Sequence, residues 1–208
     1  MMSCPAQPLP ALMTAALASA SSGSQRPETP PGWAALLARF YARAGLELAP
    51  VRRLRGAEVP EPYRRLLVHS RDMTPTLEAY HGRKLIITVL SREREEEFYL
   101  REVLLRPAPE AAPVEYGVIR ISLGHLPAGA QAAVLAEERP FGDILQAEAI
   151  GHLSWPQAFF AIAADGHLGR VLGARRPARL YGRRNVLVDG ARRLLAEAIE
   201  VLPPAEQE

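Results

Sequence analysis

Two side chains of opposite charge stand in otherwise apolar, strand-like rows: Arg101 in FYLREVLLR, residues 98–106, and Glu197 in LLAEAIEVL, residues 194–202. With the period of two that a β-strand imposes, Tyr99, Arg101, Val103 and Leu105 share one face, and Leu195, Glu197, Ile199 and Val201 share another. A buried charge is costly unless it is paired or used. Arg101 and Glu197 therefore form an internal salt bridge, reach water at a sheet edge, or bind something. In the last case the guanidinium grips a carboxylate through two parallel hydrogen bonds, while the carboxylate accepts a hydroxyl or handles a proton. Such a site requires no metal and no cofactor.

Other chemistries lack their residues. His69, His81, His125, His152 and His167 have no regular spacing and read as loop or surface residues, and Cys4 is the single cysteine, so neither a metal site nor a disulfide framework is expected. No phosphate-cradling or dinucleotide glycine motif occurs, and Ser154 in HLSWP lacks the elbow of an α/β-hydrolase. The 25 basic and 23 acidic residues leave a formal charge of +2, interspersed along the chain, which argues against a nucleic-acid or anionic-membrane partner. An arginine excess near residues 170–193 reads as a solvated strand face or an anion site. No stretch is long and apolar enough to span a bilayer, and PALMTAALASA, residues 10–20, lacks the basic start of a signal peptide; a cytoplasmic monomer is expected.

The elements that would position these residues follow from pattern. Residues 1–31, rich in Pro, Ala and Ser, read as a disordered tail, and residues 32–204 as a single α+β domain. Trp33, Leu36, Leu37, Phe40, Tyr41 and Ala44 have helical spacing, with Gly45 as the stop. Residues 50–60 read as a connection, and a short helix follows through Tyr63, Leu66 and Leu67. Asp72 or Thr74 caps a helix from Pro75 to Gly82, whose open N–H groups form either an anion site or an ordinary cap. Strands are expected at 84–90, 98–106 and 113–123. A helical stretch around Ala132–Leu135 is broken at Arg139-Pro140-Phe141-Gly142, with a helical turn at Asp143–Gln146. Periodicity does not decide between helix and strand over 147–179. The chain closes on a hairpin, Leu180–Pro204, around Asp189-Gly190. A two-residue turn there puts Gly182 opposite Glu197, Arg184 diagonal to it on the same face and Arg183 on the other, with Gly182 leaving room beside the carboxylate. The sum is an antiparallel sheet of about six strands with helices packed on one side.

Five short signatures in sequence order carry a resemblance. They are Asp72-Met73-Thr74, then Leu100-Arg101-Glu102-Val103-Leu104-Leu105, then Pro140-Phe141-Gly142, then Tyr181-Gly182-Arg183-Arg184, and Glu197 seven residues after Gly190 with Leu202-Pro203 behind it. Over residues 70–203 the chain resembles the chorismate pyruvate-lyase family, cofactor-free enzymes that convert chorismate to 4-hydroxybenzoate and pyruvate. The resemblance implies an antiparallel sheet enclosing its ligand beneath two helical flaps. It also implies that Arg101 binds the ring carboxylate, Glu197 contacts the ring hydroxyl, and backbone N–H groups at Met73 and Phe141 complete the pocket, with Gly142, Gly182 and Arg184 beside them. Loss of pyruvate together with the ring hydrogen at C4 aromatises the ring, so the enzyme's task is orientation.

Phe141 stands where the family commonly has Leu and Asp143 where it has a basic residue. The Glu197–Pro203 spacing is long and the N-terminal extension has no counterpart, which marks a divergent member. The same resemblance extends to non-catalytic modules, the effector-binding domains of GntR-type regulators, which would make this a small-molecule (aromatic acid) binding module on the same fold. A lyase with a different isomeric product is the third reading.

Overall fold

A computed structural model describes residues 31–109, 111–174 and 178–205; except for Pro31, the tail expected over residues 1–31 lies outside them. Seven strands form one open antiparallel sheet: β1 (Val51–Leu54), β2 (Leu85–Arg94), β3 (Phe98–Pro107), β4 (Glu115–Ser122), β5 (His152–Ala163), β6 (Arg179–Asp189) and β7 (Leu194–Leu202). Their order across the sheet is β1-β5-β6-β7-β4-β3-β2. Six helices accompany them: α1 (Ala35–Arg43), α2 (Tyr63–Leu67), α3 (Met73–His81), α4 (Ala128–Ala136), α5 (Phe141–Ala147) and α6 (Gly166–Val171). No described helix is long and apolar enough to cross a membrane.

The single antiparallel α+β domain expected from the sequence is what forms, with seven strands where about six were counted. The additional strand is β1, read above as a connection. Its arginines point to solvent, while Leu54 is buried opposite Phe159 of β5. Residues 147–179, left open by periodicity, supply β5 and α6. Pro156 is accommodated at a bulge between Pro156 and Ala158, where proline's missing donor does least harm.

The helices divide between the two faces of the sheet rather than sharing one. On the first face, α1 and α6 bury Leu37, Phe40, Tyr41 and Leu168 against Leu100, Leu104, Tyr116, Val118, Phe160 and Ile199. Trp33 packs on Phe160 with ring centroids 5.4 Å apart. On the second face, α2 and α3 cover one end through Leu67, Met73 and Leu77, and α4 and α5 cover the other through Val134, Ile144 and Leu145.

A glycine matters at one point of this packing. A Cβ built on Gly182 would lie 2.5 Å from both the Glu200 carbonyl oxygen and the Phe160 ring. Gly182 thus makes room for Phe160 on the first face, not for a ligand. Gly182→Ala is expected to destabilise the fold by about 2–3 kcal/mol, the cost of overpacking a close-packed core, as read from urea unfolding midpoints.

Candidate functional site

The second face holds a cavity with about 60 Å³ of room for the centres of water molecules, several times what one water needs. Its floor is the middle of the sheet. Because alternate residues of a strand share a face, β3 contributes Arg101, Val103 and Leu105; β4 Glu115, Gly117 and Ile119; β7 Ala198 and Glu200; and β6 Asn185 and Leu187. Its roof is the N-terminal ends of two helices, Asp72-Met73-Thr74 at α3 and Pro140-Phe141-Gly142 at α5. The two ends pack closely, since a Cβ on Gly142 would lie 3.3 Å from Thr74 Oγ1.

Arg101 is 1% exposed. Its Nη2 donates to the Arg139 carbonyl at 3.2 Å, and its Nε and Nη1 have no hydrogen-bond partner. Loss of solvation outweighs the favourable fields of Tyr99 and Glu137 and pulls the guanidinium down from 12.5 to about 10. At neutral pH a full positive charge therefore faces the cavity with two donor nitrogens unused.

In the floor, Gly117 leaves room for the Glu115 carboxyl and stands opposite Glu200 in the ladder: a Cβ on Gly117 would lie 3.3 Å from Glu115 Oε1 and 3.2 Å from Val103 Cγ2. Glu115 is 4% exposed and its Oε2 is unpartnered. Burial, and then the neighbouring Glu200 carboxylate, push its carboxyl well above the usual range, against the opposing field of Arg183. Glu200 accepts from Arg183 Nε at 2.5 Å. Arg183 is fully buried, and its remaining nitrogens donate to the carbonyls of Leu67 (3.4 Å), His69 (3.1 Å) and Arg71 (3.1 Å). That one side chain fastens the segment leading into α3 to the sheet.

The roof has its own anchor. His152 Nε2 bonds Asp72 Oδ2 at 2.7 Å, and His152 Nδ1 lies 2.9 Å from the Ile150 carbonyl. The bond to Asp72, opposed by burial, raises the His152 pKa above 6.5. A histidine raised on folding stabilises fully below its unfolded value and loses that contribution as pH rises through the folded one. The stability difference between the native chain and His152→Gln is thus expected to shrink from pH 5.5 to pH 8.5, as denaturant titrations at the two pH values would measure.

Of the residues singled out in the sequence, Arg101, Met73, Phe141 and Gly142 line the cavity. Glu197, Arg184 and Gly182 do not; all three belong to the opposite face. Arg184 Nε donates to Glu197 Oε1 at 2.8 Å, so this carboxylate's partner is its diagonal neighbour on the adjacent strand rather than Arg101. The cause is the pairing across β4: Arg101 stands opposite Ile119, whose partner on β7 is Ala198, whereas Glu197 stands opposite Arg120, so Arg101 and Glu197 fall on opposite faces. In the hairpin, Asp189-Gly190 opens a longer connection in which Arg192, with φ 63°, takes the left-handed conformation. Val186 stands opposite Glu197, and Gly182 opposite Val201.

Glu115, Arg183, Asn185 and Glu200 were missed. The signal available was the row Ala196, Ala198, Glu200, in which two small residues precede a carboxylate. His152 and His167, read as loop or surface residues, are half-buried and bonded; His167 Nε2 lies 2.7 Å from Glu102 on the first face.

Sheet, roof and cavity define the class: an α+β domain with a cavity between its sheet and two helix ends. No protein-family model matches the chain, and no curated protein matches its sequence. In structure it is similar to the effector domain of PhnF from Mycobacterium smegmatis, with a TM-score of 0.50 and 10% identity, covering 66% of this chain and 91% of that one. It is also similar to PhnF from the same organism, with a TM-score of 0.47 and 10% identity over 81% and 93% of the two chains. A GntR-family transcriptional regulator from Bacillus cereus gives 0.44 and 14% identity over 60% and 94%. The first of these likenesses shows a fold shared with the PhnF effector domain.

Proposed function

We propose that this domain binds a small organic acid in the cavity, with Arg101 as the carboxylate anchor, in the manner of a regulator's effector-binding module. The supporting observation is the Arg101 guanidinium, 1% exposed, with Nε and Nη1 unpartnered and directed at the cavity. A buried cation without a counter-ion is costly, and a bound carboxylate removes the cost through two charge-assisted hydrogen bonds. Apolar walls from Val103, Ile119, Phe141 and Leu187 suit a hydrocarbon body.

Conversion of chorismate to 4-hydroxybenzoate and pyruvate is the second reading. It rests on the family resemblance and on two carboxyl groups, Glu115 and Glu200, in the cavity floor; Glu197 has no part in it. One experiment separates the two. The chain is titrated calorimetrically with 4-hydroxybenzoate and, separately, incubated with chorismate while pyruvate is followed by chromatography. Binding of 4-hydroxybenzoate without release of pyruvate is expected. Pyruvate release above the uncatalysed rate selects the lyase, and failure of any carboxylate to bind refutes the anchor.

A further inference from the structure

We infer that the cavity is built for a singly charged acid whose far end carries hydroxyl or amine donors, and that it excludes dicarboxylic acids. This rests on the carboxylate reading above and narrows it. Four side chains that titrate or carry charge line the cavity: Asp72, Arg101, Glu115 and Glu200. Two of them are settled within the protein. Asp72 is bonded to His152, Glu200 is ion-paired with Arg183, and the nitrogens of Arg183 are committed to that pair and to backbone carbonyls. Glu115 has no ion-pair partner and is 4% exposed, so burial beside Glu200 disfavours its charged form. Among the described residues lining the cavity, only Arg101 presents a charge without a counter-ion. One anionic group satisfies it, and a second would be desolvated with no cation to meet.

The unpartnered atoms specify the rest of the ligand. Asp72 Oδ1, Glu115 Oε2 and Asn185 Oδ1 are buried without hydrogen-bond partners, and all three residues line this cavity. Asn185 has already used its nitrogen, donating to Ser154 Oγ at 2.9 Å. These oxygens are acceptors, so the matching ligand brings O–H or N–H groups. The spacing is also set by the sheet. Arg101 stands opposite Ile119, two residues along β4 from Gly117, over which the Glu115 carboxyl lies. Two residues of strand are about 7 Å, the length of a six-membered ring with one substituent.

Calorimetric titration of the 208-residue chain with benzoate, 3,4-dihydroxybenzoate and terephthalate at pH 7 tests the inference. The dihydroxy acid is expected to bind at least about tenfold more tightly than benzoate, and terephthalate at least about tenfold more weakly, because unmatched buried polar groups and charges are penalised. Two outcomes overturn the inference while leaving an Arg101 anchor in place: equal affinity for benzoate and its dihydroxy analogue, or terephthalate binding as tightly as benzoate. Failure of all three acids to bind removes the carboxylate reading itself, and this inference with it.

Discussion

Replacing Arg101 by Met is expected to make the ligand-free protein more stable while removing its affinity for carboxylates. The two effects share one cause. The guanidinium is held at 1% exposure with two nitrogens unpartnered, and the fall of its pKa from 12.5 to about 10 corresponds to about 3 kcal/mol against the charged form. Met fills similar volume without a charge to desolvate, so unfolding should move up by about 3 kcal/mol, or roughly 6–12 °C in Tm for a domain of this size. Binding of a carboxylate should weaken by about 2–5 kcal/mol, from roughly 30-fold to several thousandfold. Denaturant unfolding and calorimetric titration of one preparation check both. A destabilised Arg101→Met that still binds would mean that Arg101 serves the fold, and the proposed site would fall. A protein that gives up stability to keep an unpaired cation is retaining it for a ligand.

Arg183→Met should have the opposite signature, with a loss of about 3–5 kcal/mol of stability. Arg183 resembles Arg101 in residue type and burial but not in its surroundings, because every nitrogen is engaged by Glu200 or by the carbonyls of Leu67, His69 and Arg71. Removing it leaves Glu200 buried beside Glu115 without its cation and leaves three carbonyls short of a donor. Tm should fall by roughly 10 °C or more. The loss should also be uneven. Amide hydrogen exchange in residues 67–76 should accelerate more than in β3 or β4, since the roof segment loses its tie to the sheet while the sheet keeps its ladders. Uniform acceleration throughout the domain would refute that specific role.

Much of the fold was legible where one face of an element is wet. Helix α1 announces itself through the spacing of Trp33, Leu36, Leu37, Phe40 and Tyr41, and α3 through Gly82, which closes it at φ 63°. Helix α3 nonetheless starts at Met73, two residues before the proline expected to open it. Strand β1 was hidden because an edge strand exposes its arginines, which reads as a loop. The candidate site was less legible, for a reason that lies in β7. Both faces of that strand are covered, so alternation of apolar and polar residues gives no direction, and Glu197 and Glu200, three residues apart, lie on opposite faces. Which of the two reaches the cavity is set by the register of β7 on β4, where Glu200 stands opposite Gly117 and Glu197 opposite Arg120, and one residue of slip reverses every side chain. Arg101 escaped this ambiguity because the sequence placed it on a single row with Tyr99, Val103 and Leu105, whichever neighbours β3 acquired.

The strand order carries one further consequence. Strands β1, β5 and β6 form one half of the sheet and β2, β3 and β4 the other, and β7 is the only strand that pairs with both, through β6 on one side and β4 on the other. Arg101 belongs to the second half and Asn185 to the first, so the cavity floor is bisected by a seam that β7 fills. Since β7 follows the other six strands in the chain, the two halves remain unjoined on the ribosome until it emerges, and its pairing with β4 spans some of the longest sequence separations in the domain. Assembly of the sheet and completion of the binding site are therefore a single late event, and a chain halted before Leu194 would hold two half-sheets and no site.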